Sequence, residues 1–371
     1  MKSFFKWFII GFVGLILALY LLGPRITKYY QDKYYRTTYD PQRIDTQTFE
    51  NLPAVYHVSG VPQISNKKAY CQSTALQMIS AKNGINEELG YFNFHMGFSY
   101  GVFYRADAKI VTFFNDPLPG FRMASPYLGL KMNYLVTDKE EVFLKAIKFY
   151  VSNNKPVVVE IDAAPLWGET TFLPHSELIV GYSEKGFEYY EPGKEDVVRN
   201  NAQGLFMDEK TLIKASLSEC KNFMLPWKFS LIVFDKADTK QQDLEDIYNI
   251  NGNFLVGRKY GPMASGAAAL RILAADVGKG KKIDITAIEP AVYLRGDNAQ
   301  FLKRYFSKDA EMVKAAGYLQ DAGNNYGKVL EILKSNDKSK LGEASKLLLD
   351  IASAEQAAGE IFLKKSGQAS K

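Results

Sequence analysis

Two cysteines and three histidines stand in this chain of 371 residues, few enough to weigh one at a time. Cys71 opens the run Cys71-Gln-Ser-Thr-Ala-Leu-Gln-Met-Ile-Ser-Ala-Lys-Asn-Gly84. Its apolar residues Ala75, Leu76, Met78 and Ile79 recur at helical spacing, and Gly84 supplies a left-handed stop. The spacing therefore predicts a helix with Cys71 at or just before its first turn. Unpaired N–H groups and the positive end of the helix dipole meet there and favour an anion, and a thiolate is one. A thiolate nucleophile needs a base, and the base needs an orienting group.

His175 has the most informative setting of the three histidines. Glu177–Tyr182 reads as a buried strand, Glu184-Lys-Gly186 as a turn, and the residues from Phe187 to Glu191 as the returning strand, closed by Pro192-Gly193. His175 opens one arm of this hairpin and Glu191 closes the other. Antiparallel pairing brings both to one end of the sheet, where the carboxylate could hold the imidazole in the tautomer a general base requires.

Pro62-Gln63, Tyr70-Cys71-Gln-Ser-Thr-Ala-Leu-Gln-Met, His175-Ser-Glu-Leu-Ile-Val-Gly-Tyr and Glu191-Pro-Gly together resemble a papain-like cysteine peptidase pattern. The pattern is similar to that of the bacteriocin-processing peptidases, which cut double-glycine leaders. It is also similar to the N-terminal domain of butirosin biosynthesis protein H, an acyltransferase. Gly97-Phe-Ser-Tyr100 and the strand Pro156-Val-Val-Val-Glu-Ile-Asp162 support it, and the resemblance covers roughly residues 55 to 235. It implies Cys71 as nucleophile, His175 as base, Glu191 as orienting acid and Gln63 as an oxyanion-hole donor. Gln72 stands where a glycine commonly follows the cysteine, Glu191 where an aspartate is usual, and Gln63 lies further from the cysteine than is common.

Residues 90–105 hold seven aromatics and three glycines, with His95 among them. They read equally well as core and as an aromatic-walled substrate cleft that includes Tyr100. Asp162, at a strand end beside the Trp167 loop, could meet a substrate amine, although capping the following turn is its simpler use. No second histidine or cysteine lies at ligand spacing from His95, so no metal site is expected there. His57, in Ala54-Val-Tyr-His-Val58, reads as a strand or packing residue. Cys220 reads as a free, buried thiol.

The elements that must position these groups follow from composition. Residues Trp7–Gly23 carry no charge, and Lys2, Lys6, Arg25 and Lys28 flank them. With Phe4 and Phe5 they approach the ~20 residues that span a hydrocarbon core. Residues 1–40 therefore read as an uncleaved single-pass anchor and tether, with the bulk of the chain outside the cytoplasm. Residues 41–238 read as the catalytic domain, an α+β arrangement with the cysteine helix packed on a mostly antiparallel sheet. An amphipathic helix over Lys139–Tyr150 and a strand over Phe229–Phe234 belong to it. Residues 239–371 read as a helical domain, with helices at 264–277, 299–306, 311–334 and 341–363.

The net charge is only +5, and no basic stripe is interleaved with aromatics, so a nucleic-acid partner is not expected. No cofactor is required for the chemistry. The expected partners are a membrane, through the N-terminal helix, and a peptide or acyl-carrier-type substrate. The expected activity is cleavage of a peptide, amide or thioester through an acyl-enzyme, with water or an amine as acceptor. A papain-like binding module without activity and a membrane-tethered scaffold remain as alternatives.

Overall fold

The computed structural model describes residues 29–66, 70–193, 204–284 and 287–367. The anchor assigned to the first 28 residues lies outside them. Among the described residues, no helix is long and apolar enough to cross a membrane.

The described residues open with a helical segment, α1, over residues 29–39. Its Tyr35 hydroxyl donates to Phe223 O at 2.6 Å, and its Gln31 amide donates to Met224 O at 3.0 Å. Strands β1 (Gln42–Arg43) and β2 (Tyr56–His57) precede α2 (Cys71–Lys82) and α3 (Leu89–Met96). Strands β3 (Phe103–Arg105) and β4 (Ile110–Thr112) form a short hairpin. Then come α4 (Pro117–Ala124), β5 (Leu130–Thr137), α5 (Glu140–Ser152), β6 (Val157–Asp162) and α6 (Ala164–Trp167). The hairpin β7 (Pro174–Ser183) and β8 (Gly186–Tyr190) is followed by β9 (Leu205–Met207), α7 (Glu209–Asn222) and β10 (Phe229–Lys236).

These strands make one main sheet in the order β1-β5-β10-β6-β7-β8-β9, with β2 also paired to β7. Every pairing is antiparallel except β1 with β5. In β6 and β10, residues of both alternating sets are buried, as expected of central strands covered on two faces. Helices α2 and α5 pack on β7, and α7 packs on β6.

The remainder is largely helical: α8 (Glu245–Val256), α9 (Gly266–Gly278), α10 (Glu289–Tyr305), α11 (Ala310–Ser335) and α12 (Leu341–Lys365). Helix α12 packs against α8, α9 and α11. It crosses α8 closely because a Cβ on Gly252 or Gly359 would stand 2.9 Å from the other glycine's carbonyl oxygen. Helix α8 and the first half of α10 are absent from the sequence expectation. Glu245–Val256 carries three asparagines and a glycine, poor helix formers, and tertiary packing overrides them.

The helical part is joined to the first part by more than a linker. Strands β11 (Lys259–Tyr260) and β12 (Met263–Ser265) extend the β3–β4 hairpin into a second sheet, β11-β12-β3-β4. Arg295 of α10 has no solvent exposure. It pairs with Glu355 of α12 and donates to Ser99 O at 2.5 Å and Gly101 O at 3.1 Å.

Candidate active site

Cys71 is the first residue of α2, and Tyr70 takes the cap position without a side-chain cap. The N–H of Thr74 is bonded to Tyr70 O, which leaves the start of the helix facing the sulfur. Tyr70 itself is held from the helical part, where its hydroxyl donates to Asp297 at 2.9 Å. Cys71 is 7% exposed, and its Sγ–H donates to Gln72 Oε1 at 2.9 Å.

His175 sits at the start of β7, paired across the sheet with Ile161. It is 6% exposed. Its Nε2 is 2.9 Å from Glu191 Oε1, which also accepts the Gly193 N–H at 2.6 Å. Cys71 lies close enough to the ring to act on its charge. Gly193 gives a second measure of this convergence. A Cβ built on it would lie 2.9 Å from His175 Cε1, 3.3 Å from Glu191 Oε1 and 3.7 Å from Cys71 Cβ. Sulfur, imidazole and carboxylate therefore converge in one pocket, although 120 positions separate the first from the last.

The charges are interdependent. Burial disfavours a charged His175 ring, but Cys71, Glu191 and Glu177 outweigh it and hold the ring well above the usual histidine range. Burial likewise disfavours an ionised Glu191. The hydrogen bond and charge of His175, with help from Glu177 and the Gly193 N–H, hold it below the usual carboxylate range. Trp167 meets the histidine edge to face, with centroids 4.9 Å apart.

The other expected residues divide. The segment that carries Gln63 runs beside α2, with Asn66 Nδ2 donating to Thr74 at 2.6 Å and its N–H to Pro192 O at 3.0 Å. Gln63 Nε2 is buried with no acceptor among the described residues, a state a buried donor rarely keeps. Tyr100 is not a cleft residue. It is fully buried between Phe94 and Phe362, and the aromatic run around it is core. Asp162 is not free to meet an amine either. Its Oδ1 accepts the Ala164 and Leu173 N–H groups, both at 3.0 Å, and its Oδ2 accepts Ser218 Oγ at 2.6 Å. It latches the loop that carries Trp167.

His95 lies in α3, bonded to Tyr91 O at 2.8 Å and stacked on the Tyr91 ring, and burial pushes its pKa down to about 4. His57 pairs with Glu188 at 2.8 Å on the surface. A groove of about 680 Å³ runs beside α1 and α7, but Cys71, His175 and Glu191 do not line it. His175, Glu177 and Glu191 are the one group among the described residues with three candidate ligand atoms all within 4.8 Å of one another. The histidine nitrogen of that group is already hydrogen-bonded to Glu191.

Glu177 is the site residue that the sequence reading passed over. It lies two positions after His175 on one strand and so shares its face, a signal visible as a lone acid in an apolar run.

A helix-borne cysteine thus stands near a sheet-borne histidine and acid, the residue types that thiol-dependent acyl transfer uses. In comparison with known families, residues 55–207 match the model of the Peptidase_C39 like family. The matched segment holds Cys71, His175 and Glu191. A solved structure from Bacillus anthracis, assigned as C39-like, is 15% identical with a TM-score of 0.34. The match covers 50% of this chain and 100% of that one. No curated protein matches the chain.

Proposed function

We propose that this protein is a cysteine hydrolase that cuts a peptide or amide bond through an acyl-enzyme. The thiol proton passes to His175 before substrate reacts, and Cys71 Sγ attacks the carbonyl carbon as the thiolate. The ring nitrogen available for this is Nδ1, because Nε2 is engaged by Glu191. The tetrahedral oxygen takes a hydrogen bond from Gln63 Nε2. On collapse the C–N bond breaks and the amine leaves with the histidine proton. Water, deprotonated by the same ring, then attacks the thioester and releases the acid and the thiol. Trp167 covers one side of the ring and keeps bulk water from it.

The reading rests on one observation: Cys71 and a buried histidine converge on Gly193, and the histidine Nε2 is fixed by a buried carboxylate. We further propose that residues 1–40 tether the enzyme to a membrane, with the catalytic part outside the cytoplasm. Alkaline extraction of membranes carrying the full chain tests the tether.

The catalytic reading is tested by the rate at which iodoacetamide alkylates Cys71 across pH, with His175→Ala as control. The expected result is a rate near neutral pH at least about tenfold above that of the control. Identical profiles would remove the pair and with it the activity. Peptide substrates incubated with and without a primary amine then separate hydrolysis from acyl transfer by the mass of the product.

A further inference from the structure

Glu177 has no solvent exposure, and neither of its carboxyl oxygens has a hydrogen-bond partner among the described residues. Glu191 Oε2 is equally without one. In the hairpin, Leu178 faces Tyr190, so continuing the antiparallel register sets Glu177 opposite Glu191. The Glu177 Oε1 atom is 3.7 Å from His175 Nε2. Two buried carboxyls therefore share one imidazole. As two carboxylates they could only repel, since neither can donate. With one proton between them, the repulsion disappears, and Glu191 Oε2 and one oxygen of Glu177 are satisfied.

Glu191 already accepts two donors on Oε1, so it is the member that stays ionised. We propose that Glu177 is a protonated carboxylic acid that donates to Glu191 Oε2, so that the orienting group of His175 is a pair of carboxyls sharing one proton. Glu177 is a positioning residue: it acts on Cys71 only through Glu191 and His175. The assignment rests on the proposed reading of that trio.

The groups facing this pair bear on where its proton lies. On α2 it is Cys71, and on β8 it is Tyr189, whose own ionisation is opposed by both glutamates. Glu160 on β6, which accepts Ser176 Oγ at 2.6 Å, and Glu219 on α7 act on His175 rather than on the pair, and burial holds both above the ordinary carboxylate range. Burial and the Glu191 charge hold the Glu177 proton on, with the His175 charge opposing them.

Two measurements on the full chain test this. Infrared difference spectra of wild type against Glu177→Gln should show the carbonyl stretch of a protonated carboxylic acid at neutral pH in the wild type, lost in the variant. Iodoacetamide labelling of Cys71 should stay within about threefold in Glu177→Gln, whose amide still donates to Glu191. It should fall by about tenfold in Glu177→Leu, which leaves Glu191 Oε2 buried without a donor. Absence of the band in the wild type would overturn the proposal, as would labelling lost equally in both variants or unchanged in both. A stoichiometric divalent ion in the purified wild type that disappears in Glu177→Gln would overturn it too, because the carboxyls would then be ligands. The infrared band does not depend on Cys71. A wild-type thiol with ordinary reactivity would sink the catalytic reading while the band still decides the state of Glu177.

Discussion

Gly193 lies against His175 so closely that a single methyl group added to it would come within 2.9 Å of the ring carbon Cε1. Its N–H also holds Glu191 Oε1 at 2.6 Å. Glycine is needed here for close approach, so that the backbone after β8 can close over the histidine. Gly193→Ala should therefore push the ring off Cys71 while leaving the sheet intact. The expected outcome is a roughly 10- to 100-fold slower alkylation of Cys71 with little change in urea midpoint. Unchanged labelling would mean that the ring has room to give way.

The two cysteines should behave differently, although both are buried. Burial, with the nearby Glu219 adding to it, pushes Cys220 up to about 12. It has no histidine partner among the described residues, so the thiolate is scarce at neutral pH. Peptide mapping after brief iodoacetamide treatment should find Cys71 modified and Cys220 intact. Equal modification of both would show that the His175 contact confers no reactivity.

The helical part should not be separable from the sheet. The Arg295 guanidinium is fully buried, with Glu355 and the carbonyls of Ser99 and Gly101 as its partners. The Tyr326 hydroxyl adds a bond to Glu355 at 3.1 Å. Arg295→Met leaves Glu355 buried and unpaired, at a cost of about 3–5 kcal/mol. Urea unfolding measures it, and loss of Cys71 labelling should accompany unfolding of the helices, because Asp297 of α10 holds Tyr70 next to the cysteine. A change below about 1 kcal/mol would show that the network is relieved by solvent.

What could be read from the sequence was mostly local. The helix that starts at Cys71, the 184–186 turn and the strands around His175 follow from periodicity and from Gly and Pro, and the structure has them at 71–82, 174–183 and 186–190. The meeting of His175 and Glu191 follows from hairpin geometry alone. The ambiguous aromatic run around Tyr100 could not be resolved, because a cleft wall and a core wall have the same composition. Its partners Phe362 and Arg295 come from far along the chain. Asp162 looked available because its partner Ser218 lies on α7, 56 positions away. Glu177 was legible as an acid on the histidine face of an apolar strand, but its meaning depends on the cross-strand neighbour. The sharing of a sheet by β3 and β12 is a non-local pairing that no window of sequence displays.

The stability of the fold should depend on pH through Glu219. This residue is buried on α7, and its Oε2 has no hydrogen-bond partner among the described residues. Burial, with the charges of Glu160 and Asp162 adding to it, pushes its pKa up to about 9. The folded state thus keeps a proton that the unfolded chain releases near its ordinary value of 4.5. Wherever the native state binds more protons, stability falls as pH rises. Between those two values Glu219 should remove at most about 1.4 kcal/mol per pH unit, and below the lower one it should have no effect. Glu160, pushed up to about 7 by burial, adds a decline of the same sign over a narrower window. Comparison with Glu219→Gln isolates the larger contribution. The variant should track wild type below about pH 4.5 and become progressively more stable than wild type from there toward alkaline pH, as read by urea unfolding at each pH. Parallel curves for the two proteins would mean that Glu219 is solvated in solution, and that α7 does not seal this side of the sheet.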